Sequence, residues 1–495
     1  MFEFVKSARF AILGAILATV LPPLNWPPYL ALIIMIPLLD SLRKSRWGAR
    51  FGSGLFFGLG YFLVLLKWLS VVGPDAVIAL SFICALWWAI ASSFSTLFIQ
   101  SRFWALWFAT SWTALEILRD RLPWGGFGWG QIGIIWLDTP FAALYATFGQ
   151  IGMTFLTYLS IAVIYLQVRH KSRRGVGKRL IYGVSVFTTI LLAVFLSQNF
   201  QPVEIQANKQ IDISAIQGGV ERTGLGVLGQ PRAVLNKHVE QTENSLSKIN
   251  KTDLLVWPES SVDLDPFEDS LTLTTLKEID ERVLPPILIG TTLHSKENLK
   301  QNTSLMLQSQ SLTWVYQKRH LVPFGEFLPL RSIIEKYTDR ASLLSTDYES
   351  GKTSGEIDVN GLKLALLICF EIADDSLMVE NIGRQSAILV QTNNATYQNL
   401  GQSEQQSVYT RIRAIETKRP ILSIATSGIS LTVNADGEIT QQLTQAEIGL
   451  IGMKVVQVSG TTFATKSHDY VIWLIEVCYL GGLILAAVRR FKMAS

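Results

Sequence analysis

Stretches without a single Asp, Glu, Lys or Arg recur at 10–39, 76–101, 139–168 and 180–203. A bilayer core takes about 20 apolar residues per helix, because a backbone amide left unpaired in hydrocarbon is costly. The pattern predicts spans over 8–22, 29–42, 51–71, 77–99, 103–118, 142–168, 179–198 and 470–488, about eight in all. Pro22-Pro23-Leu24-Asn25-Trp26-Pro27-Pro28 divides the first stretch and reads as a tight interfacial turn. The first span runs on into others and lacks a small-residue cleavage site, so it reads as a retained helix.

Between residues 199 and 469 the pattern changes. Short apolar runs recur at Ile211–Ile216, Leu254–Trp257, Ile287–Gly290, Leu362–Ile368, Ala387–Gln391, Ile421–Thr426 and Ile448–Val455. Each is strand-length and flanked by turn residues. Ala233–Ile249 and Gln405–Thr417 carry apolar residues at three- and four-residue steps and predict helices. Strand–helix alternation implies an α/β layered domain, and runs apolar on both faces imply buried sheets. The expected fold is therefore an α-helical membrane bundle of 1–198, an α/β domain of 199–469, and a final span with its tail at 470–495.

Charge sharpens that division. Only 17% of residues are charged, against about 25% in a soluble domain. Residues 1–198 carry 16 Lys and Arg against 6 Asp and Glu, while 199–469 carry 24 against 32. The polar stretch is thus acidic and unsuited to a phosphate backbone, which argues against nucleic acid as a partner. Lys6 and Arg9, the run Arg43 to Arg50, the run Arg169 to Arg179, and Arg489, Arg490 and Lys492 all fall on one side if there are eight spans. That side is the cytoplasm by the positive-inside rule, and the α/β domain then emerges on the other face.

Within the spans, Lys67 and Glu116 are expensive groups. Each either snorkels from a span end or faces the bundle interior. The segment Pro123-Trp124-Gly125-Gly126-Phe127-Gly128-Trp129-Gly130-Gln131 reads as an interfacial loop or a re-entrant one.

Candidate chemistry lies at strand ends. Cys369, the one cysteine of the polar stretch, follows Leu364–Ile368 and fits a strand-to-turn nucleophile, with the Phe370 N–H placed to bind an oxyanion. Glu259 follows the run Leu254–Val256, where catalytic groups of α/β sheets gather, and a carboxylate there can take a thiol proton. Lys318 ends the strand-like run Leu312–Tyr316 and can stabilise an oxyanion, with Glu326 as its anchor. Read alone, each has a plainer alternative: a small buried hydrophobe, a solvated loop glutamate and a surface lysine. The five histidines form no metal-spaced pair, and neither His294 nor His320 has a recognisable catalytic context.

Taken together, Glu259 in WPES, Lys318 before HLVPFGEFLP and Cys369 in CFE resemble the Glu–Lys–Cys set of the nitrilase superfamily. With the membrane frame, the whole chain resembles the bacterial apolipoprotein N-acyltransferase family. Gln391–Tyr397 and Arg411–Glu416 fit it also. Phe370 stands where many members carry Tyr, and Thr396 where many carry an aromatic. The resemblance implies an α-β-β-α sandwich on the extracytoplasmic side of a bacterial inner membrane. It implies a catalytic triad of Glu259, Lys318 and Cys369, supported by Phe370, Glu326 and Glu371. It implies an acyl-thioester on Cys369, a phospholipid donor, a diacylglyceryl lipoprotein acceptor, a monomer, and neither cofactor nor metal. Gly218–Gln230 and Tyr337–Gly351 are expected as arms around the site. A membrane-anchored amidase using the same residues, or a non-catalytic membrane module, are the alternatives.

Overall fold

The computed structural model describes residues 2–23, 26–169, 203–220, 230–336, 346–380, 382–397 and 399–494. The chain forms two compact units, Met1–Gln201 with Thr462–Ser495, and Pro202–Thr461.

The first unit is helical. Its elements are α1 (Phe2–Val20), α2 (Tyr29–Ile34), α3 (Ile36–Lys44), α4 (Trp47–Leu65), α5 (Pro74–Phe94), α6 (Trp104–Arg119), α7 (Tyr145–Arg169) and a C-terminal helix, Phe463–Ala494. Among the described residues four helical segments are long and apolar enough to cross a membrane: Trp47–Leu65, Pro74–Phe94, Ala142–Arg169 and Phe463–Arg489. The stretches expected as spans at 8–22 and 103–118 each fold as one helix, α1 and α6, though neither is among those four, and 29–42 is broken at Met35 just ahead of Pro37. The span expected at 179–198 lies outside the described residues.

Small residues let these helices meet closely. A Cβ on Gly60 would stand 1.8 Å from the Ala11 carbonyl oxygen, and one on Gly14 1.9 Å from that of Phe57. Backbones of α1 and α4 therefore touch, the packing that helices use where no hydrophobic force separates them from lipid.

Lys67 and Glu116 part ways. Lys67 is exposed in the turn after α4. Glu116 is buried in α6 and accepts a hydrogen bond from the Tyr158 hydroxyl of α7. The glycine–aromatic segment after α6 is drawn inside as well. Phe127, Trp129 and Gln131 are buried. Arg119 donates to the carbonyls of Phe127 and Trp129, and Tyr61 donates to that of Gly130 at 2.6 Å. Non-helical backbone is tolerated among apolar helices when its carbonyls are answered in this way.

The second unit is built on two six-stranded sheets. In chain order its strands are β1 (Glu204–Gln217), β2 (Leu254–Val256), β3 (Ile287–His294), β4 (Lys300–Gln308), β5 (Ser311–Gln317), β6 (Gly355–Val359), β7 (Leu362–Ile368), β8 (Ala387–Thr392), β9 (Ile421–Ala425), β10 (Ser430–Val433), β11 (Ile439–Leu443) and β12 (Gly449–Ser459). The sheet orders are β12-β1-β2-β3-β4-β5 and β11-β10-β9-β8-β7-β6. β1, β2 and β3 run parallel, as do β7, β8 and β9. Besides a single turn at Arg331–Ile334, the α-helices described in this unit are α8 (Ala233–Ile249), α9 (Ser270–Asp280), α10 (Asp375–Glu380) and α11 (Gln402–Thr417).

Alternate residues of each central strand divide the core in two. Leu254, Val256 and Leu288 of the first sheet pack against Leu364, Leu366, Ile368, Leu389 and Leu422 of the second. Leu255, Ile287 and Ile289 face outward onto Leu235 and Ile249 of α8 and Leu276 and Ile279 of α9. With α11 over β9 and β10, the layers read helix, sheet, sheet, helix. The seven apolar runs of the sequence all fall on strands, and the Leu312–Tyr316 run is β5. The sequence reading missed β4, β6, β10 and β11. Ile439, Thr440, Gln441 and Gln442 of β11 are all exposed, so no apolar period marks that strand, while β6 and β10 are only five and four residues long, with two apolar residues each.

Candidate active site

Three strand ends deliver the candidate residues. β2 ends at Val256, and Trp257-Pro258 carries the chain to Glu259. That segment lies on β3: Val262 N–H donates to the Gly290 carbonyl at 3.0 Å. Position 290 is glycine for a steric reason. A Cβ there would stand 2.5 Å from the Pro258 carbonyl oxygen and 2.7 Å from Glu259 Cα. β5 ends at Gln317, and Lys318 follows, its N–H bonded to the Asn302 carbonyl of β4 at 2.9 Å. β7 ends at Ile368, and Cys369 opens a tight turn, 369–373, with φ of +54°. A non-glycine residue in the left-handed region carries backbone strain of about 1–3 kcal/mol. Here it turns the thiol out of the sheet at a nucleophile elbow.

The side chains converge. Glu259 is buried and lies near enough to the Cys369 thiol for each to shift the other's ionisation. Asn302 Nδ2 donates to Glu259 Oε1 at 2.6 Å and to Glu326 Oε1 at 3.1 Å. Lys318, only 1% exposed, donates to the same Glu326 oxygen at 2.8 Å. Glu326 is fixed in turn by the Val322 N–H on its other oxygen, at 2.8 Å. Cys369 alone of the three central residues is partly accessible.

Electrostatics assign the resting charges. Burial, with the Glu259 carboxylate beside it, pushes the Cys369 thiol up to about 12, against the pull of Lys318. Burial also raises the Glu259 carboxyl, while Lys318 opposes that rise. Burial works against the Lys318 charge, yet Glu326 and Glu259 hold the ammonium above the ordinary lysine range. The site thus rests with a neutral thiol beside a carboxylate of raised basicity and a fixed cation. That combination suits proton transfer from sulfur as a carbonyl arrives, with a cation ready for the oxyanion.

Glu371 and Phe370 sit behind the nucleophile. The Glu371 carboxylate accepts from the N–H groups of Ile368 (2.8 Å), Arg319 (2.7 Å) and His320 (3.1 Å), and from the Tyr316 hydroxyl (2.9 Å). One buried carboxylate therefore ties the Lys318 segment to the Cys369 turn. Beneath it, Arg413 of α11 donates to the carbonyls of Ile372 (3.1 Å) and Ala373 (2.9 Å) and pairs with Asp375 and Glu416.

Sequence reasoning missed two parts of this arrangement. Asn302 lies in an unrecognised polar strand, where nothing separates it from an ordinary β-sheet asparagine until β4 is paired with β3. His320, dismissed for lack of context, packs its ring edge-on against Phe370 with centroids 5.3 Å apart, and its Nδ1 lies 2.5 Å from Asp374 Oδ2. His294 sits elsewhere, with Asp265 and Glu268, their ligand atoms within 4.8 Å of one another. Residues 221–229 and 337–345, the larger part of the two expected arms, lie outside the described residues.

Comparison with known proteins agrees with this architecture. Residues 13–163 match the model of the apolipoprotein N-acyltransferase N-terminal domain, and residues 213–462 that of carbon-nitrogen hydrolase. The apolipoprotein N-acyltransferase of Mycolicibacterium smegmatis is 26% identical over 504 residues, covering 96% of this chain and 84% of that protein. That of Haemophilus influenzae is 25% identical over 494 residues, covering 94% and 92%. That of Coxiella burnetii is 24% identical over 492 residues, covering 96% and 99%. The chain belongs to the carbon-nitrogen hydrolase family, with the N-terminal domain of the apolipoprotein N-acyltransferases ahead of the hydrolase fold.

Proposed function

We propose that this protein is a membrane N-acyltransferase that moves an acyl chain from a phospholipid to the N-terminal diacylglyceryl-cysteine of a lipoprotein, by way of a thioester on Cys369. The observation that carries the reading is the convergence of a strained, partly accessible thiol, a buried carboxylate and a buried ammonium in one site. Four long apolar helices in the same chain supply the membrane setting.

In the first half-reaction Glu259 takes the Cys369 proton and the sulfur attacks an ester carbonyl of the donor. Lys318 and the Phe370 N–H stabilise the oxyanion. As the tetrahedral species collapses, the C–O bond breaks and Glu259 returns its proton to the leaving alkoxide, which departs as lysophospholipid. In the second half-reaction the acceptor amine attacks the thioester. Glu259 takes a proton from that amine, the C–S bond breaks, and amide and thiol form with the proton count restored. Two easier displacements replace one hard transfer.

The domain plan that serves this chemistry is a seven-span bundle over 1–198, a catalytic domain over 199–469 and a last span within 470–495. On this reading the enzyme sits in the bacterial inner membrane with its catalytic domain outside the cytoplasm. Lys and Arg favour one side under that count, and both substrates keep their acyl chains in lipid. Drawing a chain into water costs about 0.8 kcal/mol per CH₂. The protein acts as a monomer without metal or cofactor, the triad supplying base, nucleophile and cation.

The test is product analysis. Purified protein in phospholipid vesicles, given a synthetic diacylglyceryl-cysteinyl peptide, yields N-acyl peptide and lysophospholipid in equal amounts. Free fatty acid formed at the same rate with or without the peptide marks a hydrolase and contradicts the proposal.

A further inference from the structure

The helical unit carries a cleft of about 620 Å³ lined by α1, α3 and the start of α4. One wall is apolar and comes from Phe10, Ile12 and Leu13 of α1, with Pro37 of α3 opposite. Ile12 is 66% exposed, so this wall opens sideways off the helix. The other side is polar and comes from Arg9, Asp40, Ser41, Lys44 and Ser45. None of these residues belongs to the catalytic candidates, which all lie in the other unit.

The charge around the cleft does not balance. Among the described residues that line it Asp40 is the one carboxylate, and it is paired twice, with Lys44 one turn along α3 and with Arg169 of α7. Arg9 stands against the Phe10 ring, 4.9 Å from its centroid. Lys44 and Arg169 thus share that carboxylate, Arg9 adds a third cation, and Arg43, Arg46 and Arg50 crowd the same short stretch of chain. The cleft offers surplus positive charge and two hydroxyl donors beside an apolar wall. That wall belongs to Ala8–Val20, an apolar helical segment. Basic pockets between membrane helices suit anionic headgroups, each Lys or Arg contributing at the membrane surface.

We propose that this cleft holds one anionic phospholipid of the bilayer, its phosphodiester between Arg9 and Lys44 with the Ser41 and Ser45 hydroxyls as donors, and an acyl chain along Phe10, Ile12 and Leu13. This lipid is not the acyl donor, and the site stands whether or not the acyl-transfer reading does. A soluble phosphate would use only the polar side and leave the apolar wall wet. A zwitterionic lipid would leave the surplus positive charge unanswered.

The experiment is native mass spectrometry of the full chain in detergent, titrated separately with phosphatidylglycerol, phosphatidylcholine and inorganic phosphate. The wild-type protein retains one phosphatidylglycerol at least tenfold more tightly than phosphatidylcholine, and millimolar phosphate does not displace it. The double variant Arg9→Gln, Lys44→Gln loses that headgroup preference, with affinity for phosphatidylglycerol down roughly 10- to 30-fold. A second variant, Leu13→Trp, leaves every charge in place and fills the apolar side, and it lowers retention of both lipids. Equal retention of the two lipids by wild type, unchanged phosphatidylglycerol binding in the double variant, or displacement by phosphate each overturns the proposal. Because Leu13→Trp keeps the ion pairs, its binding decides the matter if the charge variant does not fold.

Discussion

Asn302 Nδ2 bridges the buried carboxylate of Glu259, 2.6 Å from its Oε1, and the partly buried one of Glu326, 3.1 Å from its Oε1. With Lys318 on the same Glu326 oxygen, one amide and one ammonium hold two like charges in a small volume. Asn302→Leu removes the bridge and keeps the approximate size. Glu259 then loses a donor that favours its ionised form, so its carboxyl rises further. Acyl transfer is expected to fall 10- to 100-fold, with the acid limb of the rate profile moved to higher pH. The check is a pH–rate series on wild type and variant. An unshifted acid limb contradicts the role.

Gly290→Ala tests whether β3 sets the position of Glu259. The added methyl must displace the Pro258–Glu259 backbone, since neither close atom belongs to a flexible side chain. A shift near 1 Å at a reacting group costs about 100-fold. Turnover should drop on that scale while the melting temperature changes by only a few degrees. Turnover within twofold of wild type shows that the segment relaxes without moving the carboxylate.

Arg413→Met tests the floor of the site. Arg413 is fully buried and its two partners, Asp375 and Glu416, are buried with it. Removing the cation strands two carboxylates and two turn carbonyls. Loss of one partner of a buried pair costs about 3–5 kcal/mol. Denaturant unfolding of the full chain should register a loss of that size. Loss below about 1 kcal/mol means the cavity takes up water.

His238 gives a pH dependence whose sign is fixed by its bonds. Its Nδ1 lies 2.8 Å from the Val234 carbonyl and its Nε2 accepts from the Gly218 N–H at 3.3 Å, which defines the neutral ring. Burial lowers its pKa from 6.5 to about 4. A group depressed in the folded state contributes stability that is present above the unfolded value and lost as pH falls. The loss should run from about pH 6.5 to about pH 4 and amount to on the order of 3 kcal/mol. His238→Gln should flatten that part of the stability curve. An unchanged curve assigns the acid sensitivity to other groups.

What the sequence made legible follows burial. Val256, Ile368 and Tyr316 close apolar runs, so the residues after them, Glu259, Cys369 and Lys318, could be placed at strand ends. The central strands are apolar on both faces because each sheet is covered on both sides. Parts that depend on tertiary pairing were not legible. Asn302 reads as one polar residue among Gln301, Thr303 and Ser304. His320 gains its meaning from Asp374, 54 positions away. Glu116 sits in a helix apolar on every side, so no polar face announced that it turns inward to Tyr158.

The central claim is a covalent stage on Cys369, and one mass measurement reaches it directly. The protein is incubated with phospholipid and no acceptor, digested, and the peptide bearing Cys369 is weighed. The account predicts one added acyl chain, removed by hydroxylamine, transferred when diacylglyceryl peptide is supplied, and missing from Cys369→Ala. Turnover to N-acyl peptide with no adduct on Cys369 at any time, or with an adduct on another residue, contradicts it.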